Sequence, residues 1–147
     1  MNVTDRNTGV NALLVGDYGS ERRQLGEIFQ RAGWRLWEAP DRRRALQCLD
    51  RNPVQVVIAD SEVPHWHWRR VLHDLRNLKR PPALVVASRS ADDAMWAEVL
   101  NLGGYDVLVR PFAIDEVERV IAAARRQFDR QPAGSVHRSA GPLFQTA

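Results

Sequence analysis

The sequence predicts an α/β fold of one domain, a doubly wound, five-stranded parallel sheet with helices on both faces. Three observations lead there. Five short, mostly apolar runs are spaced along the chain, and the first and third are continuous rather than alternating with polar residues as a half-exposed strand would be. Between them lie segments with apolar residues at helical spacing. Glycine or proline punctuates most of the junctions, and strict strand–helix alternation with short connections implies parallel strands.

The elements follow in order. Residues 1–10 are polar and are expected to form a flexible N-terminus. Ala12 to Asp17 (ALLVGD) reads as the first strand. Ser20 is positioned to cap a helix whose apolar stripe is Leu25, Ile28, Phe29 and Ala32, with Gly33 as its stop. Trp34 to Ala39 is the second strand, and Asp41 caps a helix reaching Leu49. Asn52-Pro53 ends that helix, because a residue before proline avoids helical geometry. Val54 to Asp60 (VQVVIAD) is the third strand, and the next helix turns Val71, Leu72, Leu75 and Leu78 inward. Ala83 to Ser88 is the fourth strand. Ser90-Ala91-Asp92-Asp93 resembles a capping box and opens a helix carrying Met95, Val99 and Leu102. Tyr105 to Val109 is the fifth strand. A last helix runs to about Phe128 on Val117, Val120, Ile121, Ala124 and Phe128. The domain is thus expected over 11–128, with 129–147 a flexible tail or linker rich in Pro, Gly and Ser.

Bulk composition narrows the function. The 147 residues are 44% hydrophobic, enough for one globular core. Charged residues make up 27%, near the soluble average. No apolar run approaches the roughly 18 residues a membrane helix needs, and no secretory signal opens the chain. A single cysteine, Cys48, excludes an internal disulfide and suits a reducing compartment, so a cytoplasmic location is expected; in its helical setting it reads as a small buried hydrophobe. Net charge is +3 and the arginines are scattered rather than striped, which speaks against nucleic-acid binding. No three-glycine dinucleotide fingerprint, P-loop or nucleophile elbow occurs.

In sheets of this kind ligands bind outside the carboxyl ends of the strands, where strand order reverses. The residues expected there are Gly16-Asp17, Asp60, Ser88-Arg89 and Arg110-Pro111. Two carboxylates, a hydroxyl and a guanidinium on one rim suit a divalent cation and a phosphoryl group. Each residue alone has a structural explanation, as cap, strand end or ion pair; their convergence favours a site. Arg110 or Arg89 is expected to ion-pair with Asp60.

The strand-one run LLVGD, the stretch VVIADSEVP, VVAS at the end of strand four and VRPF after strand five together resemble the receiver domain of bacterial response regulators, the CheY-like, flavodoxin-like fold. The resemblance covers about residues 11 to 128, and the separations Asp60–Ser88 and Ser88–Arg110 suit it. It implies a cytoplasmic two-component signalling module rather than an enzyme, with phosphotransfer from a histidine kinase or phosphotransfer protein to Asp60. It further implies Mg²⁺ held by Asp17, Asp60 and the backbone carbonyl of Glu62. Ser88 and Arg110 would meet the phosphoryl oxygens, and the Arg110–Pro111 peptide would be cis.

Four of the departures from the family pattern cluster around one pocket. Gly16 stands where the family has a first acid, so Mg²⁺ binding is expected to be weak. Arg110 replaces a lysine whose point charge a planar fork does not reproduce. Arg89 replaces a small residue, Trp68 a glycine, and Val107 the usual switching aromatic. These changes raise an alternative, a phosphorylation-independent pseudo-receiver acting as a protein-interaction module. A more distant alternative is a flavodoxin-like ligand binder using the rim.

His65, His67 and His73 lack the spacing of a metal site, and Trp66 and Trp68 are expected to cover the third helix from an exposed loop. The resemblance places a partner or homodimer surface on helix four, strand five and helix five, with Trp96, Leu100 and Val107 as its apolar candidates.

Overall fold

The computed structural model describes residues 9–131. Its elements are β1 (Asn11–Val15), α1 (Ser20–Ala32), β2 (Arg35–Ala39), α2 (Arg42–Arg51), β3 (Val56–Asp60), α3 (Trp68–Arg76), β4 (Ala83–Ser88), α4 (Asp93–Leu102), β5 (Asp106–Val109) and α5 (Ile114–Arg130). All five strands are parallel in one sheet of order β2-β1-β3-β4-β5. The fold class read from the sequence is the fold observed. The segments expected to be flexible, 1–10 and 129–147, lie mostly outside the described residues.

Each strand feeds two cores because successive side chains point to opposite faces. Leu14, Ile58, Val85 and Leu108 pack with Leu25, Ile28 and Phe29 of α1 and with Val117, Val120 and Ile121 of α5. Leu13, Val57, Leu84 and Val86 pack on the other face with Val71 and Leu75 of α3 and Val99 of α4. Burial of each such side chain contributes about 1.5–3 kcal/mol before entropy is counted. Covering on both faces is why the central strands β1, β3 and β4 read as unbroken apolar runs.

Several boundaries move for identifiable reasons. Gly19 takes the N-cap position of α1 in a positive-φ conformation (55°), so Ser20 is already helical and makes no cap bond. Asp92, not Ser90, caps α4, accepting from the Met95 N–H at 2.8 Å. Asp41 caps α2 as expected, accepting from the Arg44 N–H at 2.9 Å. Leu78 lies beyond α3 and is half-buried, Ala32 is exposed, and Cys48 is only partly buried. Burial raises the Cys48 thiol pKa, a shift moderated by its hydrogen bond with Asn52.

Strand order reverses at β1, which has β2 on one side and β3 on the other. The register pairs Val15 with Ala59, Asp60 with Ala87 and Ser88 with Val109. Parallel strands in this register bring the residues after Val15, Asp60 itself, Ser88 and the residue after Val109 to one rim.

Candidate functional site

Asp60 closes β3 with a side chain 20% exposed, and Arg110, the residue after β5, reaches it from two strands away. Arg110 is buried. Its Nη1 donates to Asp60 Oδ1 at 3.0 Å. The rest of the fork turns the other way: Nε and Nη2 donate to Glu21 Oε1 at 2.9 and 2.5 Å. The Tyr18 ring packs against the guanidinium, with the carbon centre 4.4 Å from the ring centroid. Burial works against the charge of Arg110, but the hydrogen bonds and charges of Glu21 and Asp60 outweigh it and raise its pKa. The peptide bond to Pro111 is cis, as the resemblance implied.

Of the two arginines expected to pair with Asp60, Arg110 does so. Arg89 instead donates through Nη2 to Glu21 Oε1 at 3.1 Å, with its own side chain 64% exposed. One carboxylate oxygen therefore collects three guanidinium contacts. Glu21 Oε2, buried, has no hydrogen-bond partner among the described residues, and neither has the Tyr18 hydroxyl. Burial, followed by the charges of Asp60 and Glu21, pushes the Tyr18 pKa far above the usual tyrosine range against the opposing effect of Arg110. Tyr18 stays a neutral wall.

Gly16 adopts φ 125°, and a Cβ built there would lie 3.0 Å from the Asp60 Cβ and 3.2 Å from Tyr18 Cε1. The pocket has closed over the position where an acid would stand. Asp17 and Glu62 are exposed. Among the described residues no three His, Cys, Asp or Glu side chains gather in a way that could hold a metal.

Ser88 is buried, and its Oγ accepts from the Ser61 hydroxyl at 3.2 Å and from the Ser90 N–H at 3.0 Å. Ser61 also donates its backbone N–H to Ala87 O at 2.8 Å, tying the loop after β3 to the end of β4. The structure thus brings Asp60 and Arg110 into direct contact and sets Ser88 behind Ser61. Glu21, Tyr18 and Ser61 were not singled out from sequence. For Glu21 a signal existed: it sits four residues before Leu25, on the stripe that faces the sheet.

Trp66 in the β3–α3 loop and Trp68 at the start of α3 were expected to cover that helix, and both are buried; the Trp66 Nε1–H donates to Asp74 Oδ2 at 2.8 Å. Asp74 also accepts from Arg42 Nε at 2.9 Å. His67 caps α3, its Nδ1 accepting from the Arg69 N–H. On the expected partner face Trp96 is 49% exposed and donates to Asp106 Oδ1 at 3.0 Å. Leu100 is half-buried. Val107 is buried, pointing into the core shared with α3 and α4, so it leaves that surface. Leu102, Val109 and Ile114 are the exposed apolar residues nearby in sequence.

A cleft of about 510 Å³, lined by Leu75, Arg76, Pro82, Tyr105 and Phe128, opens at the opposite end of the sheet from Asp60. That position gives no support to a ligand binder using the rim. No helix among the described residues is long and apolar enough to cross a membrane.

Residues 12–122 match the family model described as response regulator receiver domain. The KDP operon transcriptional regulatory protein KdpE of Escherichia coli (strain K12) is 30% identical over 118 residues, covering 80% of this chain and 52% of that protein. Chemotaxis protein CheY of Thermotoga maritima is 24% identical, covering 80% of this chain and 97% of CheY. The chain spans about half the length of KdpE and a quarter of the regulatory protein AtoC of Escherichia coli. Among solved structures, the signal receiver domain of a Luxo repressor protein from Vibrio parahaemolyticus superposes with a TM-score of 0.74 at 19% identity, covering 82% of this chain and 92% of that one. A chain in the Saccharomyces cerevisiae Ypd1–Ssk1 co-crystal structure, which joins a histidine phosphotransfer protein to a receiver domain, gives 0.71 at 15% identity, covering 82% and 91%. With the parallel order β2-β1-β3-β4-β5, an acid ending β3 and the family model matched over residues 12–122, this chain belongs to the response regulator receiver domain family.

Proposed function

We propose that the chain is a two-component receiver that works as a protein-interaction module without phosphorylation of Asp60. The observation that carries this is the Arg110 guanidinium, buried and divided between Asp60 and Glu21. Its one positive charge already faces two carboxylates, and a planar fork held through Nε, Nη1 and Nη2 is not free to follow an incoming phosphoryl group. The donor set also does not suit resident Mg²⁺. Gly16 offers no carboxylate, Asp17 is exposed, and Asp60 Oδ1 is taken by Arg110. Octahedral Mg²⁺ needs free oxygens at that point, whereas the guanidinium supplies the positive charge from within the chain.

The partner would be a kinase, a phosphotransfer protein or another receiver. The half-exposed Trp96, with Leu102, Val109 and Ile114, offers it apolar area beyond the pocket. Tryptophan is among the residues that most often anchor such contacts. A homodimer would use the same α4–β5–α5 face.

A second reading, phosphotransfer to Asp60, is favoured by the part of its side chain that remains exposed at the rim. Incubation with acetyl phosphate over a range of Mg²⁺ concentrations, followed by intact mass, separates the two. The expected result is no gain in mass. A phosphoryl-sized gain that disappears in Asp60→Asn would establish phosphotransfer and overturn the proposal.

A further inference from the structure

We propose that Arg89 and Arg110 form a phosphoryl-type oxyanion site and that the chain's own Glu21 carboxylate occupies it. This rests on the reading of the pocket as internally compensated, and it names the residue that keeps it so. An oxyanion site needs converging charged donors, a wall that excludes water and little competition for the acceptor. Arg110 and Glu21 meet these conditions, and Arg89 adds a donor from a more exposed position. Arg110 Nε and Nη2 and Arg89 Nη2 converge on Glu21 Oε1 from β5 and from the end of β4. The neutral Tyr18 ring backs the guanidinium. Glu21 is itself 8% exposed, carried in by the first turn of α1.

Two features mark Glu21 as an occupant rather than an ordinary ion-pair partner. Its Oε2 is buried without a hydrogen-bond partner, although buried carboxylate oxygens rarely go unmatched. A three-oxygen anion could distribute three donors that the carboxylate stacks on one atom. The charges also close: Glu21 and Asp60 balance Arg89 and Arg110. An external phosphoryl group brings about −1.5 to −2, so it would leave the pocket strongly negative unless Glu21 moved out. Glu21 therefore acts as a tethered anion whose withdrawal admits an external one.

Chemical rescue tests this with inorganic phosphate as the probe. Glu21→Ala is expected to lower Tm, and phosphate is expected to restore about half of the loss or more in a saturable way, as a ligand of the folded state does. The wild type should show no saturable gain, and Glu21→Ala/Arg89→Gln a much weaker one. If Glu21→Ala does not fold, Glu21→Gln carries the same test, read from the Arg110 Nε–H resonance: it should shift on phosphate addition in the variant and stay fixed in the wild type. A parallel, non-saturating rise in all proteins is the general effect of an excluded salt and would overturn the proposal, as would no rise in any. The acetyl phosphate result on wild-type protein judges the constitutive reading separately, since the rescue measurement involves neither Mg²⁺ nor modification of Asp60.

Discussion

Arg110 is the residue on which the pocket turns, and its fork geometry matters more than its charge. Replacing it with methionine would leave Asp60 and Glu21 facing a buried space without their shared cation. Breaking a buried pair in this way costs about 3–5 kcal/mol, so Arg110→Met should show that loss in urea unfolding. Arg110→Lys keeps the charge but cannot donate along three directions at once, so its loss should be smaller, about 1–2 kcal/mol. The two residues of the Asp60–Arg110 pair were legible because strand ends in a parallel sheet share one rim. Glu21 was harder to see. Its bond to Arg110 spans 89 positions, and an acid in a first helical turn reads most simply as a solvated complement to the helix dipole. Only its place on the Leu25–Ile28 stripe pointed inward.

At the scale of elements, α3 shows how a polar contact can complete an apolar one. Trp66 was expected to cover this helix, and it is among the largest fully buried side chains, with Asp74 accepting its N–H. That acid joins the loop, α3 and the start of α2, since Arg42 reaches it too. Burial works to raise the Asp74 pKa, but the hydrogen bonds from Arg42 and Trp66 win and hold it below its ordinary value. A carboxylate with a depressed folded pKa contributes stability that is complete above its unfolded value, about 4, and is lost as pH falls through the folded value. Asp74→Asn should therefore be less stable than wild type at neutral pH, with the gap narrowing below about pH 4 in urea titrations. Caps were partly legible for a related reason. Asp41 and Gly33 act where their chemistry pointed, whereas Ser20 and Ser90 yielded to a neighbouring Gly19 and Asp92 with better geometry or a stronger acceptor.

For the whole molecule, the sheet was legible because each level of the sequence agreed: apolar runs of strand length, helical stripes between them, and breakers at the junctions. The central strands β1, β3 and β4 are paired on both edges and covered on both faces, while β2 and β5 are outer strands. Native-state amide exchange should accordingly be slowest in β3 and its two neighbours and faster in β2 and β5; uniform protection across all five strands would contradict this layering. The state of the rim was far less legible, because it depends on which side chains from distant segments meet, and periodicity carries no such information. The unequal shielding of the tryptophans has one more consequence. Trp66 and Trp68 are sealed inside, Trp34 and Trp37 are partly buried and Trp96 stands half in water, so an aqueous quencher such as acrylamide will dim the emission of Trp96 most and spare Trp66 and Trp68. Whatever lands on the outer face of α4 will brighten that light again, giving the protein an optical gauge of its own docking without any attached dye.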